Sequence, residues 1–409
     1  VFDLLLTNAT IATMQPGTAF GLIPRGAVAI ADGKVAWVGP TEQLPAGEAV
    51  AVRDLEGRLV TPGLVDPHSH FVYGDEGYLD FEVLSQGGQR WDLEPQGGGV
   101  GGIVARTREM SEEALYRASR ERLSGLIAQG ITTTESKSGA GLDRDTELRL
   151  MRVSRALARD MPVSLISTYL GAHGLPPEYA GRRDEYVAFM CDEVLPQAVR
   201  EDLVDQVDGF CDAVGYSHEQ MGRLFDRARS FGLQVKAHAD QYSDFAAGAL
   251  VARHGGLSAD HLEFASAATV QEMAAAGTVA VLLPGANFTL HESRKPPVAL
   301  FRSHGVPMAL ATNCNPVSSP TLSPTSQMHL ACYLFGLTAE EALQGFTVHA
   351  ARALGVPDRA GQLAPGRPAD IAVWDARDAR ALAYRLGGTA CRTVIRHGRI
   401  VHDLPELAA

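Results

Sequence analysis

Four histidines stand where apolar runs of the chain give out. His68 and His70, in Asp66-Pro67-His68-Ser69-His70, are two residues apart, so on extended backbone both side chains leave the same face and can reach one cation. An isolated pair of this kind is more often two solvated loop histidines than a site. The balance changes because the apolar stretch Val235-Lys236-Ala237 delivers His238, and Ser258-Ala259-Asp260 delivers His261 from the next one. Four imidazoles at the ends of three apolar segments are the donor set of a metal centre. Three of them would hold one divalent ion, zinc or iron(II), with a position left open for water, and the metal lowers the pKa of that water from about 15.7 to about 7. The chemistry implied is hydrolysis.

Those segments have to be brought to one rim. Eight apolar stretches read as strands: 59–68, 130–136, 162–173, 204–214, 233–240, 256–264, 277–285 and 306–313. Amphipathic helical stretches alternate with them, the pattern of repeated βα units. The stretch 111–130 is representative, opening on Ser111-Glu112-Glu113 and closing on Gly130, a capped start and a glycine stop. Eight such units predict a (β/α)8 barrel, with polar residues at the carboxyl ends of its strands on the face where barrels build active sites. An open doubly wound sheet is the competing fold and needs no set of eight. Both chain ends are β-rich, with Asp32-Gly33 and Glu56-Gly57 as turns, and predict a small β-sandwich assembled from the two termini. The expected division is residues 1–60 and 355–409 for the sandwich and 61–354 for the barrel.

With 409 residues, 45% of them hydrophobic and 21% charged, the chain can bury a large core. Its net charge of -12 repels phosphate backbones and anionic lipid, so neither nucleic acid nor a membrane is an expected partner. Cys191, Cys211, Cys314, Cys332 and Cys391 are scattered without CxxC spacing, as free thiols in a reducing compartment would be, and a cytoplasmic location is expected. The opening residues alternate like a strand rather than a secretory leader, and no apolar run approaches the roughly 20 residues of a membrane span. Dimers are the commonest soluble assembly, so a homodimer is expected.

Through nearly its whole length the chain resembles the imidazolonepropionases of the amidohydrolase superfamily, which open an imidazolone ring in histidine breakdown. The resemblance is carried by TPGLVDPHSH (61–70), KSGAGLDRDTELRLMRVSRAL (137–157), YLGAHGLPPEYAGRRDEY (169–186), VKAHADQYS (235–243), LSADHLEFA (257–265), AAAGTVAVLLPGA (274–286), NCNP (313–316) and AGQLAPGRPADIAVWD (360–375). It implies a (β/α)8 barrel with a two-ended β-sandwich and a mononuclear metal hydrolase acting on a cyclic amide. It further implies that His68, His70 and His238 bind the metal and that His261 polarises the substrate carbonyl. His173 would contact the ring, and Gln241 would lie beside the scissile group. Glu135 and Lys137 end a strand and are expected to form a structural ion pair under the site, with a carbamylated lysine bridging two metals as the alternative.

The chain departs from the family in three places. The family closes its eighth strand with Thr-Asp-Cys-Asn, whose aspartate ligates the metal and takes a proton from the attacking water; here the residue is Asn313. An amide oxygen can approach a metal but is no base, so slow turnover is expected from loss of a contribution of about 10² to 10⁴. The adjoining Cys314-Asn315-Pro316 keeps the family form, and Asn315 is expected among the substrate contacts. The second departure is the substrate tail: an arginine that grips a carboxylate in the family is missing from the stretch holding Asp75, Glu76 and Gly77, while Ala140, Val317 and Ser318 replace tyrosine, glycine and threonine. A substrate without the propionate, or with a bulkier or cationic tail facing Asp75 or Glu76, is expected. The third is the glycine-rich stretch 87–107, expected to be a mobile lid with Trp91 able to stack on a planar ring. An aromatic ring deaminase and a catalytically dead binding protein are the alternatives to a cyclic amide hydrolase.

Overall fold

The structure is a computed structural model that describes residues 1–93, 96–387 and 390–405. Its strands form two sheets. In the first, β1 (Phe2–Ala12), β2 (Leu22–Ala31), β3 (Lys34–Pro40), β4 (Ala49–Asp54) and β5 (Leu59–Pro62) come from the front of the chain. The second is built from β6 (Leu64–Asp66), β7 (Ile131–Lys137), β8 (Ser164–Ala172), β9 (Gln206–Cys211), β10 (Gln234–Val235), β11 (Ala237–Ala239), β12 (Ser258–His261), β13 (Val279–Leu282) and β14 (Met308–Leu310). The tail returns to the first sheet as β15 (Ile371–Trp374), β16 (Cys391–Arg396) and β17 (Arg399–Asp403).

The second sheet is parallel and runs β14-β13-β12-β11-β9-β8-β7-β6, with β10 at the side of β9. Each of the eight expected stretches contributes one strand to this path. All seven residues of β7 are buried, as expected where a parallel strand is covered on both faces, although Ile131 is the one apolar residue among them. The two ends of the path meet through loop backbone: Asn313 N donates to the His68 carbonyl at 2.9 Å and His70 N to the Cys314 carbonyl at 3.0 Å. Thr312 reinforces the seam, its N–H donating to Asp66 Oδ1 at 3.0 Å. The barrel therefore closes at the residues that carry the first and last candidate ligands.

The first sheet interleaves the termini in the order β17-β16-β15-β5-β1-β2-β3, with β4 also paired to β1. Its core joins Leu6, Ile11, Val28 and Val60 from the front to Ile371, Val373 and Ile395 from the tail. The sheet meets the barrel at Trp374, which is fully buried and donates Nε1–H to Thr61 Oγ1 at 2.9 Å. Gly130 ends the helix turn before β7 at φ 93° and lies against that indole, where an added Cβ would stand 2.9 Å from the ring. Only glycine suits both the conformation and the approach. The preceding helix Glu112–Ala128 starts as its sequence predicts, Ser111 Oγ accepting from Ala114 N–H.

Candidate active site

The imidazoles converge at the carboxyl ends of the barrel strands. His68 follows β6, His238 sits in β11 and His261 ends β12. The ring centroids of His68 lie 5.0 Å from His70, 4.6 Å from His238 and 5.8 Å from His261. His68 Nε2 and His70 Nε2 are 3.1 Å apart, a separation that a hydrogen bond between the rings spans and that also lets both nitrogens face one cation. Ligand nitrogens of His68, His238 and His261 all lie within 4.8 Å of one another. The sequence points to His68, His70 and His238 as the ligands; the geometry adds His261 to the cluster, 5.4 Å ring to ring from His238.

Two carboxylates orient the rings. Asp260 Oδ2 accepts from His68 Nδ1 at 2.6 Å, and Asp208 Oδ1 lies 3.2 Å from His238 Nδ1. A carboxylate on Nδ1 fixes the tautomer and leaves Nε2 free as a ligand. Burial, then the Lys137 ammonium and the neighbouring imidazoles, holds His68 well below the ordinary histidine pKa. Burial likewise lowers His70, with His173 the next cause, and His261, with His238 the next. Neutral rings are the form that binds a metal. Behind His261, its Nδ1 and the Oε2 of Glu263 face each other at 3.9 Å, both buried and without a hydrogen-bond partner among the described residues. Burial pushes the Glu263 carboxyl up to about 8.

Residues 261 and 262 reach this position at φ 79° and 70°, two successive side-chain-bearing residues in the left-handed region. Backbone of this kind costs about 1–3 kcal/mol per residue and survives where the surroundings hold it. The holding bonds run from Leu262 N to the Ala239 carbonyl and from Phe264 N to the Asp240 carbonyl, at 3.0 and 2.8 Å. The strand that carries His238 thus also sets the turn that carries His261.

One cavity opens above the cluster, and its walls include His70, His173, His238, His261, Gln241, Asn313, Asn315, Ala140, Val317 and Ser318. His173 is anchored through Nδ1 to the Gly139 carbonyl at 3.1 Å, and burial with the adjacent His238 lowers its pKa to about 3. Asn315 ties the last strand's loop together, accepting from Val317 N and Ser318 N at 2.9 and 2.8 Å.

Two expected contacts lie elsewhere. Glu76 is bound to Arg122 at 2.7 Å and to the Tyr73 hydroxyl at 3.0 Å, and Asp75 pairs with Arg106 at 2.6 Å. Neither lines the cavity, because each carboxylate has found a guanidinium on a helix far along the chain. Trp91 is 59% exposed and sits at the mouth rather than in the wall, its ring 5.7 Å from that of Tyr242. Two residues of the glycine-rich stretch, Glu94 and Pro95, lie outside the described residues. The residue beside Trp91 does enter: Arg90 lines the cavity with its guanidinium 4.7 Å from the centroid of Tyr242. No aspartate or glutamate lines that cavity among the described residues. Arg90, Tyr242, Phe210, Lys236, Asp208 and Asp260 are site residues that the sequence pattern does not single out. Alternation on strands offered a signal for Lys236, two before His238, whereas Arg90 lies in a short 3-10 turn with no periodicity to read.

A parallel barrel with a carboxylate-backed imidazole cluster at its rim defines a hydrolase of the amidohydrolase type. The amidohydrolase family model matches residues 97–402, and an imidazolonepropionase-like composite domain of bacteria matches 26–46. The imidazolonepropionase of Roseobacter denitrificans is 47% identical over 94% of this chain and 97% of its own length; that of Ralstonia nicotianae is 47% identical over 97% and 98%. The chain belongs to the imidazolonepropionase family, hydrolases acting on C–N bonds in a cyclic amide. Among solved structures, 5-methylcytosine deaminase from Klebsiella pneumoniae liganded with 5-fluorocytosine superposes with a TM-score of 0.77 at 17% identity, covering 99% of this chain and 98% of that one. A triazine hydrolase variant gives 0.76 at 18% identity over 99% and 96%, and both share the fold.

Proposed function

We propose that this chain opens the ring of an imidazolone that carries an acidic side chain, with one zinc or iron(II) ion held by His68, His70 and His238 and approached by the amide oxygen of Asn313. The observation that carries the reading is that imidazoles of the cluster and, among the described residues, a single guanidinium, that of Arg90, line the same cavity. The donor set fits a divalent ion: His68 and His238 have Nδ1 committed to aspartates, so their Nε2 lone pairs remain for a cation. Such an ion supplies Lewis acidity, polarising a carbonyl and making a bound water acidic.

The protein's own groups do the rest. Neutral His261 is suited to donate a hydrogen bond to the substrate carbonyl, and His173 and Gln241 to hold the ring. Arg90 is suited to pair with a carboxylate on the tail, a stronger contact than any neutral donor offers. This reverses the sign of the tail expected from Asp75 and Glu76, which are already paired. Asn313 has no basicity, so a proton leaving the nucleophile meets no carboxylate there and turnover is slow. The chain works as a barrel of residues 61–354 with a composite domain of 1–60 and 355–409, assembled as a homodimer.

The test is an assay of the metal-loaded protein and of Asn313→Asp with imidazolone propionate, following the loss of ring absorbance and identifying the product. A ring-opened acid is expected, with the aspartate variant faster. Release of ammonia from an amino-substituted ring would favour a deaminase instead. Complete inertness of both proteins would favour a binding protein.

A further inference from the structure

Beneath the imidazoles lies a layer of buried charge whose two lysines have so far no role. The side chains of Glu135, Lys137, Asp208, Lys236 and Asp260 have no exposure. Lys137 Nζ contacts Glu135 at 2.9 Å, Asp208 Oδ2 more closely, and Asp260 at 3.8 Å. Lys236 Nζ donates to Glu135 at 3.1 Å and to the Pro67 carbonyl at 2.7 Å, and also lies 3.8 Å from Asp260. Asp208 is therefore a bridge, one oxygen on the Lys137 ammonium and the other on His238 Nδ1. Asp260 is held on its far oxygen by the Ser258 hydroxyl at 2.6 Å while its near oxygen takes His68 Nδ1. Lys236 reaches the same ligand a second way, since Pro67 is the residue before His68.

A buried ion persists only when paired and hydrogen-bonded on all sides. Here three carboxylates meet two ammonium groups, which leaves one negative charge directly under the place for a divalent cation. The arrangement does more than neutralise itself, because both aspartates present their remaining lone pairs to imidazoles of the cluster.

We propose that Lys137 and Lys236 are positioning residues of the metal centre: through Asp208 and Asp260 they fix the Nδ1–H tautomers of His238 and His68, and with them the affinity for the ion. The inference rests on the reading of these imidazoles as metal ligands. Neither lysine touches the substrate cavity, so the readout is metal retention and ring tautomer.

The experiment compares wild type, Lys137→Met and Lys236→Met, each purified metal-free and checked for fold by circular dichroism. Zinc affinity by competition with a chromophoric chelator is expected to fall about 10- to 100-fold in each variant. The 15N shifts of labelled histidines in the metal-free variants should report mixed tautomers where wild type shows one. Lys137→Met added to Asp208→Asn should weaken binding little further, because the lysine acts through that aspartate. Wild-type affinity with wild-type tautomers in both lysine variants would overturn the proposal. Should a methionine variant fail to fold, Lys137→Gln and Lys236→Gln carry the same test with a polar end retained: a several-fold loss of affinity supports the proposal and an unchanged affinity overturns it. Failure of the wild type itself to take up zinc or iron(II) would sink the metal reading as well, which separates the two failures.

Discussion

The side-chain amide of Asn315 donates to Asn313 Oδ1 at 3.0 Å and to the Asn313 carbonyl at 2.6 Å. Residue 313 itself sits at φ 49°, in the left-handed region that asparagine and aspartate tolerate better than most. An aspartate would accept the same bonds in the same conformation. Asn313→Asp is therefore expected to leave the melting temperature within a few degrees of its starting value while raising kcat for ring opening by about 10² to 10⁴. A stopped assay at saturating substrate checks it; an unchanged kcat in a fully metal-loaded variant would mean that residue 313 carries no proton.

Arg90 offers a test of the tail. Arg90→Leu removes the one guanidinium that lines the cavity among the described residues and should raise KM for an acidic substrate by about 10- to 100-fold with kcat nearly unchanged, the signature of lost uniform binding. A neutral analogue lacking the carboxylate should be handled alike by both proteins. Equal losses for the acidic and the neutral substrate would assign Arg90 to packing on Tyr242 instead.

Gly77 explains why nothing longer occupies the stretch after the first histidine pair. A Cβ there would stand 1.8 Å from the Pro316 carbonyl oxygen, and Pro316 lines the cavity next to Asn315. Gly77→Ala should destabilise the protein by about 1–3 kcal/mol through overpacking and raise KM as the Asn315 loop shifts. Urea melts with parallel kinetics would expose the effect, and wild-type values in both would show that the loop yields freely.

Acid should unfold the metal-free protein early. His68, His70 and His261 are held well below the ordinary histidine value and His173 at about 3, burial being the first cause in each. In the unfolded chain these groups take up protons near 6.5, whereas in the fold they do not, so the unfolded state binds more protons below that pH. Stability is then full above about 6.5 and declines as the pH falls toward about 3. Denaturant midpoints of metal-free protein at pH 7.5 and 5.5 should differ in that direction, and a flat profile would contradict the crowding of neutral rings.

Much of this architecture is legible in the sequence. The barrel strands are buried on both faces, so β13 and β14 announce themselves as short apolar runs, and the imidazoles mark where neighbouring strands meet the rim. What the chain concealed were partnerships across long separations. Glu76 reads as a free anion until Arg122, on a helix 46 residues away, is seen to hold it. Asp260, next to His261 in the chain, reads as its companion, yet it serves His68, 192 residues earlier. Arg90 lies in a turn whose residues obey neither the period of a strand nor that of a helix. Local pattern reports which face a residue occupies, not whom it meets there.

The interleaving of β5 between β1 and β15 has a consequence for how the molecule is made. Ile371 pairs with Pro62 and Val373 with Val60, so an edge completed by the early part of the chain stays bare until the late part arrives. At about 5–20 residues per second of synthesis, that wait is on the order of 15 to 60 s. During it the nascent front hairpins carry an uncovered strand edge, a known invitation to mispairing, and they are the segment a chaperone on the ribosome would have reason to hold.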